Sequence, residues 1–248
     1  MINWFAHLLA HLLMVGLITA APVTAMLQRL DLRQHQRWRP PTRLRVYLRY
    51  IGSQWAAMLL LFIMCSGLGW SPQTLGLRIP SHLFLSVGVT LFLFLVLSLL
   101  SLSLRRDLRN PKKQDFWRKR LDHVLPVTRQ ERLLYIPVCI TAGICEELLF
   151  RGFMPAYLMH IFPGFPFLLA LVCSACVFGL GHMRQGVAGM VMSTIMGLLW
   201  GFFYFFTGSI FFPILIHAFS DLRLLLIGPI ESENVAAQSE EKPSAVLS

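Results

Sequence analysis

The chain has 248 residues, of which 56% are hydrophobic and only 14% charged. A soluble domain of this length cannot hide so much apolar side chain, and the continuous apolar runs lack the period-two alternation of a β-barrel, which leaves an all-α, polytopic transmembrane helical bundle. The formal charge of +10 crowds into two stretches between spans, a pattern of cytoplasmic loops beside anionic lipid headgroups that speaks against a nucleic-acid partner.

Span one is predicted from Trp4 to Met26. It lacks the basic n-region of a secretory signal and is followed by a strongly basic stretch, so it reads as a membrane helix. That stretch carries Arg29, Arg33, Arg37, Arg39, Arg43, Arg45 and Arg49 against Asp31, and is broken by Pro40 and Pro41. Span two covers Tyr50 to Trp70 and span three Leu83 to Leu104. The second basic stretch, Arg105 to Arg132, reads as an amphipathic or interfacial segment.

Span four is predicted from Leu133 to Ile161, span five from Phe167 to His182, span six from Gly186 to Phe206 and span seven from Ile210 to Ile230, with a tight turn at Thr207-Gly208-Ser209. One transmembrane domain therefore occupies residues 1–230, in about seven spans with an eighth possible, and a polar, disordered tail follows from Glu231 to Ser248. Charge bias places the N-terminus outside and the tail in the cytoplasm. Compact loops and the short tail point to a prokaryotic cytoplasmic membrane. Ser193, Gly197 and Gly201 form a ridge of small residues on span six that admits a close neighbour.

The informative residues are the ionisable ones inside apolar sequence. Glu146 and Glu147 are adjacent on span four, and Arg151 lies one helical turn after Glu147, near enough to pair with it. Glu146 is left without a local partner. His182 ends span five, and His217 and Asp221 share one face of span seven. Each group alone is readable as a packing ion pair or an interfacial histidine. Together they bring acids, imidazoles and a guanidinium from three spans towards one cavity, which suits acid–base hydrolysis better than packing. A proton-coupled transporter relay is a further reading, weakened by the lack of internal repeats.

Other candidates carry less. His7 and His11 are one turn apart on span one with no acid nearby. Trp4, Trp55 and Trp70 read as interfacial anchors. Cys65, Cys139, Cys145, Cys173 and Cys176 all lie in apolar runs and give neither a disulfide framework nor a zinc spacing.

The motifs Glu146-Glu147 with Arg151, Phe178 with His182, and His217 with Asp221 resemble the EExxxR, FxxxH and HxxxN/D motifs of the CAAX protease and bacteriocin-processing (ABI) family of intramembrane endopeptidases. The resemblance covers Leu133 to Ile230 and includes the approach from Gly201 through Ile210 and Pro213 to His217. It implies an intramembrane active site that hydrolyses a peptide bond of a membrane-associated protein or peptide. A non-catalytic binding or immunity protein on the same scaffold is the alternative. In the protease reading Glu146 is general base, His182 positions water, His217 donates to the oxyanion, and Glu147 with Arg151 supports the helix face. Asp221 stands where family members often carry Asn, and is expected to orient and charge His217. No cofactor is expected. A zinc version of the chemistry would use Glu146, Glu147, His182 and His217 as ligands. Membrane lipids and the substrate are the expected partners.

Overall fold

The computed structural model describes residues 4–34, 43–110, 126 and 128–227. Within them the fold is all-helical. Helix α1 runs Trp4–Gln34, α2 Arg43–Leu68 and α3 Leu83–Leu108. Helix α4 runs Arg129–Ile161. Helices α5, α6 and α7 follow as Phe167–Gly181, Gly186–Thr207 and Phe211–Leu222. Each predicted span thus has a helix. The disordered-tail assignment, the Pro40-Pro41 break and most of the second basic stretch fall outside the described residues.

Among the described residues, four helices are long and apolar enough to cross a membrane: α2, α3, α4 and α6. Two others are shorter apolar helices, Trp4–Thr19 within α1 and Phe167–Gly181. This narrows the expectation of about seven spans. The predicted seventh span departs most. Helix α7 has 12 residues, about 18 Å at about 1.5 Å per residue, well short of the roughly 30 Å hydrocarbon core. Past Leu222 the chain tightens into a 3-10 turn, Arg223–Ile227. Arg223 there donates to Ser101 Oγ of α3 at 3.0 Å, and Arg132 of α4 donates to the Leu225 carbonyl at 3.0 Å. These polar ties secure the turn where an apolar continuation was expected.

The outer surface of the helices is apolar. Phe84, Leu91, Phe92 and Leu95 of α3 are more than half exposed, as are Leu59 of α2 and Phe202 of α6. Such a surface is satisfied by lipid, and the chain is an integral membrane protein. The few polar residues of α3 bond locally: Ser86, Thr90, Ser98 and Ser101 each donate to the carbonyl one turn earlier, at 2.7 to 2.9 Å. That removes the cost of an unpaired hydroxyl in hydrocarbon.

Helix α4 is the axis of the bundle, with 56% of its apolar window buried. It begins with a capping box in which Thr128 and Glu131 each accept the other's backbone N–H. Such reciprocal caps satisfy two donors that the first turn leaves free. After Glu147 the helix widens into a π-helical stretch, Leu148–Phe153, and then resumes as Met154–Ile161. Pro155 has no N–H to offer the Arg151 carbonyl one α-turn back, so the regular ladder has to break here.

Two close approaches set the neighbours of α4. A Cβ on Gly143 would stand 2.8 Å from Ala218 Cβ and 2.9 Å from the backbone of Ala218 and Ile214, so α4 and α7 meet almost backbone to backbone. Helices α5 and α6 pack most extensively of all pairs. There Gly197 faces Ala175 and Gly201 faces Leu171, which gives two members of the predicted small-residue ridge their partner.

Candidate active site

Helix α4 carries Glu146, Glu147 and Arg151 to the centre of the bundle, where all three are buried. Arg151 Nη1 lies 2.9 Å from Glu147 Oε1, the one-turn pair expected from their spacing. Arg151 also projects its guanidinium over the Phe178 ring of α5, 4.6 Å from the centroid. The aromatic face offsets part of the cost of burying that cation.

The Gly143–Ala218 contact brings the next residue's neighbour into play. His217 precedes Ala218, and its Nδ1 lies 2.7 Å from Glu147 Oε1. With the Glu147 carboxyl oxygen as acceptor, Nδ1 carries the hydrogen and donates it. The other ring nitrogen, Nε2, faces Glu146 Oε2 at 3.7 Å and Asp221 Oδ2 at 3.8 Å. Both are beyond an ordinary hydrogen bond, so Nε2 is open to a reacting group. The carboxylate that orients the imidazole is therefore Glu147. Asp221, expected in that role, lies on the opposite, Nε2 side, because one α-helical turn separates it from His217 and α7 presents the two side chains to the same space.

His182 caps the C-terminus of α5. Its Nδ1 donates to the Phe178 carbonyl at 2.9 Å, which fixes the tautomer and leaves Nε2 free. No hydrogen bond joins it to the glutamates. The link is Phe178, whose ring stands 4.6 Å from His182 and, edge to face, 6.2 Å from His217. His182 is also within electrostatic reach of Asp221. The six sequence-derived residues thus gather from α4, α5 and α7, with five in direct charge or hydrogen-bond contact and His182 at the rim.

One member was not foreseen. Tyr50 of α2 donates its hydroxyl to Glu146 Oε1 at 2.8 Å. The available signal was a phenol at the first position of the predicted second span, beside Arg49, since a buried phenol needs a partner. Trp55, read as an interfacial anchor, lies inside α2 and donates its indole N–H to Thr141 of α4 at 3.2 Å. His7 and His11 take no part in the cluster. His7 stacks on His160, and His11 hydrogen-bonds the Tyr157 hydroxyl, which ties α1 to the end of α4.

A zinc ion on Glu146, Glu147, His182 and His217 needs all its ligand atoms about 2.0–2.2 Å from one point. Glu147 Oε1 already faces Arg151 and His217, and no hydrogen bond joins His182 to the glutamates. Among the described residues no group of three or more His, Cys, Asp or Glu side chains is placed to hold a metal ion.

Residues 128–223 match the family described as type II CAAX prenyl endopeptidase Rce1-like. No curated protein and no solved structure matches the chain. The matched segment begins at the Thr128 cap of α4 and ends one residue beyond α7, so it contains every cluster residue except Tyr50. Over that segment the chain is similar to the Rce1-like CAAX protease family, a likeness that points to an intramembrane protease.

Proposed function

We propose that this protein is an intramembrane endopeptidase in which Glu146 activates water to cleave a peptide bond of a membrane-associated protein or peptide. The observation that carries the reading is the division of labour between the adjacent glutamates. Glu147 is committed to Arg151 and to His217 Nδ1, while Glu146 keeps one oxygen free opposite His217 Nε2.

Glu146 Oε2 takes a proton from water, and the resulting hydroxide adds to the scissile carbonyl carbon. Negative charge moves to the carbonyl oxygen. His217, held by Glu147 through Nδ1 and acting as the doubly protonated imidazolium, donates a hydrogen bond from Nε2 to that oxyanion and keeps its proton when the intermediate collapses. The tetrahedral intermediate collapses, the C–N bond breaks, and the proton held by Glu146 passes to the departing amine. His182, with Nε2 free, orients the water from the rim. Arg151 keeps Glu147 paired, so that it orients the imidazole without competing as base. Asp221 shares the space at Nε2. The family description names a CAAX prenyl endopeptidase, which makes a lipid-anchored peptide the substrate class to try first.

Comparison of protein termini in membranes from cells carrying the wild type or Glu146→Ala tests the reading. New termini present with the wild type should be lost with the variant, and loss of a general base lowers the rate about 10²–10⁴-fold. Termini that persist unchanged in the Glu146→Ala membranes overturn the assignment.

A further inference from the structure

The inward face of α2 changes character along its length. Its C-terminal half buries Met58, Leu61, Met64 and Cys65 in the core. Its N-terminal half presents Arg43, Tyr47, Tyr50 and Gln54, at the same helical spacing and each partly buried. Polar side chains on the inner face of a membrane helix are costly without a counterpart. Helix α4 provides one: Arg43 pairs with Glu131 at 3.6 Å, the Tyr47 and Tyr135 rings lie 5.8 Å apart, and Tyr50 bonds Glu146.

We propose that Tyr50 is a positioning residue for Glu146, supplied by a helix outside the family-matched segment; this rests on the protease reading above. A glutamate carboxyl rotates readily about its terminal torsion. His217 Nε2 is only 3.7 Å away, so an untethered Glu146 swings onto the imidazole and forms a direct ion pair. That closure occupies the base and the oxyanion donor together. The Tyr50 hydroxyl, donating to Oε1 at 2.8 Å, prevents it. It fixes the carboxylate plane and selects Oε2 as the oxygen that meets water. The phenol is a neutral donor, so it orients the base without adding a second cation beside Arg151.

The test uses full-length protein reconstituted in vesicles. Its probe is a synthetic peptide spanning a cleavage site whose new terminus depends on Glu146 in cells. Tyr50→Phe removes the hydroxyl and keeps the ring. It should lower kcat about 10–100-fold, the scale of a misplaced reacting group, with KM and the melting temperature unchanged. Tyr47→Phe, which removes a phenol from the same face away from Glu146, should leave kcat as in the wild type. A Tyr50→Phe kcat within twofold of wild type overturns this inference alone. So does a loss matched by an equal fall in melting temperature, which marks packing. If no terminus in the cell depends on Glu146, the protease reading falls first and this inference with it.

Discussion

Adjacent glutamates in a membrane helix differ here because their neighbours differ. Glu147 is fully buried between a guanidinium and an imidazole, whereas Glu146 meets a phenol and stands 3.7 Å from His217 Nε2. The same contrast separates Glu147 from Asp221. An orienting carboxylate acts on the nitrogen that does not face the substrate, and only Glu147 occupies that position. Glu147→Gln should therefore lower cleavage by at least about 100-fold, while Asp221→Asn should stay within about tenfold of wild type. Parallel cleavage assays on the two variants check this, and the reverse order would assign the orienting role to Asp221.

At the scale of elements, one glycine decides whether the site forms. Gly143 lies one turn before Glu147, and its missing Cβ lets α7 approach until His217 reaches Oε1. Gly143→Val adds atoms where even a Cβ meets backbone at 2.9 Å, so the helices must separate. The expected cost is about 1–3 kcal/mol, seen as a lower melting temperature in detergent together with loss of cleavage. A variant that melts and cleaves like the wild type would mean that the crossing tolerates separation. The π-helical stretch acts at the same scale. Arg151 lies within the widened stretch Leu148–Phe153 and reaches both Glu147 and the Phe178 ring. Neither feature is legible in hydropathy. Pro155 hints at a broken ladder, but a proline does not say which way the helix turns after it.

Across the whole molecule the organising force is the bilayer. Helix α3 buries little beyond Ser86, Thr90 and Ser101, so its remaining surface is matched to lipid. Leu95, near the middle of α3, is 58% exposed. Leu95→Lys should cost about 2.5–3.5 kcal/mol in membrane insertion, measurable as a lower inserted fraction in a glycosylation-mapping assay. Full insertion of that variant would place Leu95 away from hydrocarbon.

Composition and local spacing determined that this is a helical membrane protein, where its apolar helices lie, and which ionisable residues are out of place in them. Those properties are local, since apolar runs and one-turn spacings are visible within a single segment. Tertiary structure decided the rest. It determined that α7 stops short, that Glu147 rather than Asp221 owns His217 Nδ1, and that Tyr50 completes the surroundings of Glu146 from 96 residues away. Those outcomes depend on how closely two helices cross and how each is rotated about its axis. Both are set by packing between segments distant in the chain, at Gly143 against Ala218 and through the widened turn of α4.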